Sequence, residues 1–199
     1  PDRIIADCGS PMWNVYFSGI LDDGQRFIKM FFMNGGHGAR PHEDGPACLS
    51  FPSNIATVPL EQFENSVPIL IMEKNLIADS GGAGEFRGGQ AQRLSFKIIS
   101  KHPVTMTIRH ERVKHPPRGL LGGKDGSAGC DYLNGKIIPA KSRIELKNND
   151  VVTFDTAGGG GIGSPENRSE KKIIQDLKSG AVTKEAVKRD YAFIEKGVS

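Results

Sequence analysis

Apolar and polar residues alternate in short runs along most of the first 155 positions. This period is typical of half-buried β-strands, because successive side chains of a strand point to opposite faces of a sheet. Gly, Asn and Asp separate the runs, and these residues favour turns. The predicted strands are Val15–Ile20, Arg26–Met33, Val67–Met72, Gln92–Ile99, Val104–His110, Ile137–Ile138, Arg143–Leu146 and Val151–Phe154.

One hairpin has a specific turn signal. Asn134 and Gly135 separate the run Cys130–Leu133 from the run Lys136–Ile138. A type I′ turn needs two central residues that tolerate positive φ, and Asn-Gly is the preferred pair. We therefore predict that these two runs pair as antiparallel strands.

The period changes towards the end of the chain. A first apolar helical face ends at Gly180, and a second follows Thr183, a favourable N-cap residue. The apolar positions are Ile173, Ile174 and Leu177 in the first helix and Val187, Tyr191 and Ile194 in the second. The pattern predicts an α+β fold, mainly β, with short strands and glycine-rich loops over residues 1–168. A C-terminal tail over residues 169–199 of the same unit contains a pair of short helices.

Charge and composition exclude several classes of protein. The 199 residues include 26 Lys and Arg against 23 Asp and Glu, spread along the chain, which argues against a nucleic-acid partner. No apolar run is long enough to span a membrane, and no signal peptide is visible, so we expect a cytoplasmic protein. The chain begins without Met, which suggests an excised piece. Cys8, Cys48 and Cys130 are far apart, and we expect reduced thiols.

Glycine is the one unusual component, with 25 residues in 199, where roughly 7% is usual. It is concentrated around Gly35–Gly38, Gly81–Gly89, Gly122–Gly123 and Gly158–Gly163. Glycine supplies positive φ and lets a ligand or another backbone approach closely. Two interpretations therefore remain open: loops that line a binding site, or tight packing of irregular β structure.

Nucleotide and metal motifs are absent from the sequence. Gly158 to Ser164 has the spacing of a phosphate loop but lacks its lysine. The glycines at Gly82 and Gly84 could begin a dinucleotide-binding motif, but Arg87 occupies the position of its third glycine. His37, His42 and Asp44 match no common metal motif, and we interpret them as loop residues. We expect structural roles for three further histidines, which are His102, His110 and His115.

Two arginines stand at the edges of glycine clusters. Arg40 and Arg87 could make bidentate contacts with a carboxylate, phosphate or carbonyl group of a ligand, or could fix a loop to a nearby acid. Possible carboxylate pairs are Glu61 with Glu64 and Asp44 with Asp79. No Ser-His-Asp or Cys-His arrangement has a nucleophile signature. The residues by themselves leave the catalytic chemistry unknown.

The order of the motifs resembles the hydantoinase B/oxoprolinase family. The resemblance covers nearly the whole chain and depends on many weak motifs in the same order. They are Gly35-Gly-His-Gly-Ala-Arg40 with Asp44-Gly, Pro59-x-Glu61-x-x-Glu64 with Pro68, Asp79-Ser-Gly-Gly-Ala-Gly-x-x-Arg87-Gly-Gly, Pro117-x-Gly119 with Gly122-Gly123, Gly158 to Gly161 with Gly163-x-Pro165-x-x-Arg168, and Asp176-Leu-x-x-Gly180 with Tyr191.

The resemblance implies a two-component, ATP-dependent enzyme that opens a cyclic amide such as a hydantoin, a lactam or 5-oxoproline. A hydantoinase A-like subunit or domain would bind ATP with Mg, and phosphorylation of the amide oxygen would give an imidate that water opens. Exposed N–H groups of the glycine loops, flanked by Arg40 or Arg87, are then candidate donors to the developing negative charge. The substrate-loop candidates are Gly35, Gly36, His37, Arg40, Asp44, Asp79, Gly81, Gly82, Arg87, Gly158, Gly159, Gly160 and Gly161.

Family members are longer, and the chain resembles only their C-terminal part. The family's metal site lies in an N-terminal segment with an Asn-Asp-Pro motif, so we expect no metal and no cofactor bound by this piece. We expect it to pack against its own N-terminal half and to be inactive alone. Two alternatives stay open: a fragment of an ATP-dependent ketone carboxylase, or a non-catalytic structural or subunit-docking module.

Overall fold

The strands of this computed structural model, which describes residues 3–9, 13–51, 55 and 58–191, form two antiparallel sheets. The first has the order β2-β1-β5-β8 and the second the order β3-β4-β9-β6-β7. The bounds are β1 Trp13–Ile20, β2 Arg26–Phe32, β3 Ile69–Leu76, β4 Gln92–Ile98, β5 Val104–His110, β6 Cys130–Leu133, β7 Lys136–Ile137, β8 Lys141–Leu146 and β9 Val151–Asp155. The helices are α1 Leu60–Glu64, α2 Glu170–Ser179 and α3 Lys184–Asp190. The predicted mainly β, α+β fold is confirmed.

The main hydrophobic core lies between the two sheets. Alternate residues of β1 point inward, so Trp13, Val15 and Phe17 are buried. Phe17 makes an edge contact with Phe96 of β4, with ring centroids 5.4 Å apart. Phe96 in turn contacts Phe154 of β9 at 5.6 Å. Along β1, burial therefore alternates with the strand period.

The predicted strands are confirmed with small shifts, and one helix was missed. Val67 belongs to the turn after α1, because its N–H donates to the carbonyl of Phe63, and β3 begins only at Ile69. The helix α1 has five residues, too few for a helical period to appear. It contains Glu61 and Glu64, and Glu64 accepts a hydrogen bond from the N–H of Ile71 at 2.6 Å. Glu64 thus has a structural contact of its own.

The predicted β6–β7 hairpin is confirmed. Asn134 has φ 49° and Gly135 has φ 76°, as a turn with two left-handed residues requires. The Asn134 side chain donates to Asp150 and accepts from the N–H of Val151, both at 2.8 Å. These bonds join the turn to the start of β9.

The two C-terminal helices are also confirmed. Gly180 ends α2 with φ 72°, and Thr183 caps α3 by accepting from the N–H of Ala186 at 3.2 Å. Ile194 lies outside the described residues. One detail was wrong: Ile174 is 41% exposed, and Asp176 occupies the buried face beside Ile173. A small apolar cluster packs these helices onto the body: Ala83, Ile173, Leu177, Val182, Val187 and Tyr191.

Membrane-spanning segments and disulfide bonds were both unexpected from the composition. None of the helices described has the length and apolar character needed to cross a membrane. All three cysteines are free thiols, as predicted. Burial raises the pKa of Cys8 and of Cys48, although nearby hydrogen bonds oppose the effect.

Candidate functional site: a glycine core and a buried charge network

The glycine-rich segments lie against one another beside the two sheets. We call residues 35–39, 80–89, 117–126 and 156–163 the glycine core. The N–H of Gly36 donates to Ala157, that of Gly82 donates to Gly159, and that of Gly159 donates to Gly89. Segments that are distant in sequence therefore bond backbone to backbone, outside the regular sheets.

Glycine is needed in this core because no room is left for a side chain. A Cβ at Gly36 would lie less than 3.0 Å from the Gly89 carbonyl oxygen, and one at Gly88 would lie as close to the Gly159 carbonyl. Real Cβ atoms essentially never approach other atoms so closely. Among the described glycines of the core, only Gly122 and Gly163 have positive φ. Close approach of another backbone, the second of the two interpretations, therefore explains most of these glycines.

Six of the eight candidate glycines, Gly36, Gly82 and Gly158 to Gly161, donate their N–H groups inside the protein. The acceptors are the carbonyl groups of Ser127 for Gly158, Gly89 for Gly159, Asp7 for Gly160 and Lys124 for Gly161, at 2.9 to 3.1 Å. An N–H that already donates to a carbonyl is not free to stabilise a developing oxyanion or to bind a phosphate. The expectation that these residues present exposed donors is therefore wrong, because tertiary packing consumes them.

Four charged side chains, three of them buried and one half-buried, form a network at the edge of the glycine core. Arg168 binds both carboxylate oxygens of Asp44, at 2.7 and 2.9 Å, and also binds Asp176 at 2.6 Å. Arg87 approaches the same Asp176 at 3.3 and 3.4 Å, and its backbone N–H donates to Asp44 at 2.7 Å. Arg87 and Arg168 are only 9% and 4% exposed. We call Asp44, Arg87, Arg168 and Asp176 the charge network.

The network contains two arginines and two aspartates, and Lys172 adds a further cation 3.8 Å from Asp44. Burial alone would raise the pKa of Asp44, but the hydrogen bonds and positive charge of Arg168 outweigh it and lower that pKa. Burial likewise disfavours the charge of Arg168, yet its bonds to Asp44 raise its pKa. Arg87 therefore fixes a loop to a nearby acid, which was one of its two predicted roles.

The predicted pair of Asp44 and Asp79 does not form, because the two carboxylates have different partners. Asp79 accepts hydrogen bonds from the N–H and the hydroxyl of Thr183, both at 2.7 Å. It thereby holds the start of α3, with its own backbone at φ 60°. Gly81 follows two residues later, where a Cβ would lie less than 3.0 Å from the Gly88 carbonyl oxygen.

Two further candidates, His37 and Arg40, differ in their exposure to solvent. His37 is 3% exposed, and its Nδ1 bonds the Gly38 carbonyl at 2.8 Å, so it is part of the glycine core. Arg40 is partly exposed and forms an ion pair with Glu43. With His42 and Ile5 it lines a small cleft of about 320 Å³. Arg40 thus keeps a solvent-facing position, and its contact with substrate stays a prediction.

The described residues do not provide a metal site. Nowhere among them do three His, Cys, Asp or Glu side chains come together with the geometry of a ligand set. The metal that the family resemblance implies does not fit this part of the chain.

A second cleft, of about 960 Å³, opens at the end of β5 and was not predicted. It lies between residues 110–115 and 137–141. His110, which lines it, is 2% exposed and binds both carboxylate oxygens of the buried Asp131 through Nδ1, at 2.8 and 2.9 Å. The Trp13 ring packs on His110 with centroids 4.3 Å apart. His110 thus has the structural role that was expected of it.

Sequence reasoning included Arg168 and Asp176 in the family motifs but did not select them as site residues. A signal for Asp176 was available. It lies three residues after Ile173 and one before Leu177, so it falls on the apolar face of α2. An acid in such a position needs a buried partner.

The fold and the glycine core together define a class of protein. Its members have a body of two β-sheets, beside which glycine-rich segments are joined by backbone hydrogen bonds. The chain belongs to the hydantoinase B/oxoprolinase family, whose model matches residues 1–165. A curated relative, an uncharacterized protein from Methanocaldococcus jannaschii, is 36% identical over 96% of this chain and 34% of its own length. The chain thus spans about a third of the length of this relative.

Two further relatives have functional names. The caprolactamase subunit beta of Pseudomonas jessenii is 27% identical over 99% of this chain and 36% of its own length. The acetophenone carboxylase delta subunit of Aromatoleum aromaticum is 30% identical over 78% of this chain and 28% of its own length. Among solved structures, the ATP-dependent caprolactamase of Pseudomonas jessenii has the same fold, with a TM-score of 0.84 and 21% identity, over the whole of this chain and 37% of that one.

Proposed function

We propose that this chain is the C-terminal portion of the B component of an ATP-dependent enzyme that hydrolyses a cyclic amide. The substrate class comprises hydantoins, lactams and 5-oxoproline. The observation that carries the proposal is the family match over residues 1–165. The caprolactamase subunit beta supports it, since it is similar to 99% of this chain and its name describes a lactam-opening enzyme with more than one subunit.

The chemistry explains why such an enzyme uses ATP. An unstrained amide is a poor electrophile, and phosphorylation of its carbonyl oxygen gives an imidate whose carbon water can attack. The ring C–N bond of the adduct then breaks, the nitrogen leaves as a protonated amine, and a second water releases phosphate from the acyl phosphate that remains. We propose that ATP and Mg²⁺ bind to a hydantoinase A-like partner, and that the metal site of the family lies in the chain's own N-terminal half. An ATP-consuming enzyme of this kind is expected to work in the cytoplasm.

Within that enzyme we assign the glycine core and the charge network a scaffold role. The N–H groups of Gly158 to Gly161 are bonded internally, and the charges of Arg87 and Arg168 are paired with the buried Asp176 and the half-buried Asp44. Groups that are already bonded or paired inside the protein stabilise the fold and are not available to stabilise a transition state. The reacting groups would then come from the partner and from the N-terminal half.

A second candidate is an ATP-dependent ketone carboxylase. The relative named acetophenone carboxylase delta subunit favours it, at 30% identity over 78% of this chain. In that case the same scaffold would support a site for a phosphorylated enol and for bicarbonate or CO2.

The test is phosphate release by the full-length protein purified together with its hydantoinase A-like partner. Hydantoin, 5-oxoproline and caprolactam are compared with acetophenone plus bicarbonate, and the partner alone is the control. Stimulation by a cyclic amide, with formation of the ring-opened acid, is expected. Stimulation only by the ketone with bicarbonate would contradict hydrolysis and support the carboxylase.

Arg40 has a separate test in the same enzyme, because it keeps a solvent-facing position outside the glycine core and the charge network. If Arg40 contacts the reacting amide as predicted, Arg40→Ala should lower kcat/KM about 100-fold, the usual cost of losing an oxyanion donor. A kcat/KM within about twofold of the unchanged enzyme would contradict that contact and leave Arg40 with its ion pair to Glu43.

A further inference from the structure

The cleft at the end of β5 has the size and shape of a small-molecule site. Its volume of about 960 Å³ lies at the upper end of the range of about 300 to 1,000 Å³ that is usual for ligand pockets. Val113 and Ile138 form an apolar floor, because both pack against the main core. Ile137, on the wall, is 73% exposed. An apolar ligand body would therefore bury surface here.

The rim of this cleft has an excess of positive charge. Lys141 pairs with Glu111 at 2.8 Å, and Arg112 pairs with Asp7 from outside the cleft. Lys114 lies on the same rim and is exposed, and no ion pair or hydrogen bond is seen for its side chain within the described part of the chain. The Lys114 ammonium group is therefore available to bind a ligand carboxylate.

Two sets of contacts fix the wall of the cleft. Arg112 has φ 59°, a conformation that non-glycine residues rarely adopt and that is concentrated at ligand sites, and the N–H of Gly129 donates to its carbonyl at 3.1 Å. The His110 ring lies beneath the cleft surface, 2% exposed, and its Nδ1 bonds Asp131 at 2.8 Å. The wall is therefore held in place before any ligand binds.

We infer that this cleft binds a small organic monocarboxylate. Its apolar body would lie on Ile137, Ile138 and Val113, and its carboxylate would bind Lys114. The inference goes beyond the proposed function, because it depends only on this cleft and holds for either the amide hydrolase or the carboxylase.

The experiment uses 4-fluorobenzoate as the probe and the full-length protein that contains this chain. Ligand-observed ¹⁹F NMR gives the dissociation constant, and we expect saturable binding with Kd below about 1 mM. The neutral 4-fluorobenzamide has the same ring without the charge, and we expect it to bind about tenfold more weakly.

Two variants locate the site. Ile137→Glu places a carboxylate in the cleft at a position that is 73% exposed, and we expect it to weaken 4-fluorobenzoate binding at least tenfold. Ile28→Glu is the matched control, because Ile28 is also 73% exposed and lies on β2, outside the cleft. We expect this control to leave Kd within about twofold.

Lys114→Gln tests the anion contact directly, and we expect about tenfold weaker binding. Three results would overturn the inference: no saturable binding up to about 10 mM, equal binding of the amide, or equal Kd in the Ile137→Glu and Ile28→Glu variants. Failure of cyclic amides to stimulate phosphate release would overturn the proposed function and leave this result unchanged.

Discussion

The substitution Gly159→Ala tests the packing of the glycine core most sharply. The new Cβ would lie less than 3.0 Å from the carbonyl oxygen and carbon of His37, and 2.9 Å from the backbone nitrogen of Gly38. These are backbone atoms of a neighbouring segment, so no side chain can rotate away. Movement of either segment would disturb the bonds that join Gly159 to Gly89 and to Gly82.

The expected cost follows from two contributions. Overpacking costs about 1 to 3 kcal/mol, and each weakened hydrogen bond adds about 0.5 to 1.5 kcal/mol. We expect Gly159→Ala to lower the free energy of unfolding by about 3 kcal/mol or more, a decrease in Tm of about 6 to 12 °C for a chain of this size. Urea unfolding and a thermal scan measure the two quantities.

Gly24→Ala is the control for the loss of a glycine. Gly24 has φ +88° but no atom within 4 Å of the position of a Cβ, so the substitution should cost only about 1 kcal/mol, from backbone strain. If the two variants were equally stable, the close packing deduced for Gly159 would be refuted. A Gly159→Ala protein with normal stability and lost activity would instead favour a ligand-binding loop.

The charge network and its titration give two further predictions. Arg168→Met leaves the half-buried Asp44 and the buried Asp176 without their main cation, and we expect a loss of about 3 kcal/mol in the free energy of unfolding, measured in urea. The exposed pair removed by Arg40→Met should cost less than about 1 kcal/mol. Because the folded-state pKa of Asp44 is lowered, its stabilising contribution is present above its ordinary value of 3.8 and is lost as the pH falls through the lower value. Asp44→Asn should therefore flatten the acid side of a stability-against-pH profile, and an unchanged acid slope would contradict the pairing.

The elements of the fold were largely predictable because they depend on local patterns. Alternation placed β5 at Val104–His110, and the Asn134-Gly135 pair placed the turn of the β6–β7 hairpin. The helix α1 was missed because five residues with one buried side chain, Phe63, show no period. Ile174 was misplaced because a helical face can include a buried acid, here Asp176, where an apolar residue is expected.

The site was less predictable, because it depends on which segments meet. The sequence shows where glycine is concentrated, but the approach of Gly159 to His37 is a tertiary contact over more than a hundred residues. The same holds for Arg168, which binds Asp44 at a separation of 124 residues. The residues around Arg168 and Asp44 in the sequence do not mark the two as partners. Only the folded chain shows that their charges are paired.

The most direct measurement of the central claim is hydrogen exchange of the backbone amides in the glycine core. If Gly158 to Gly161 donate to backbone carbonyls inside the protein, their N–H groups should exchange as slowly as those of β9, which precedes them. Exchange as fast as that of the exposed turn at Asp22 and Asp23 would contradict the account. It would show that these glycines form open loops with free donors.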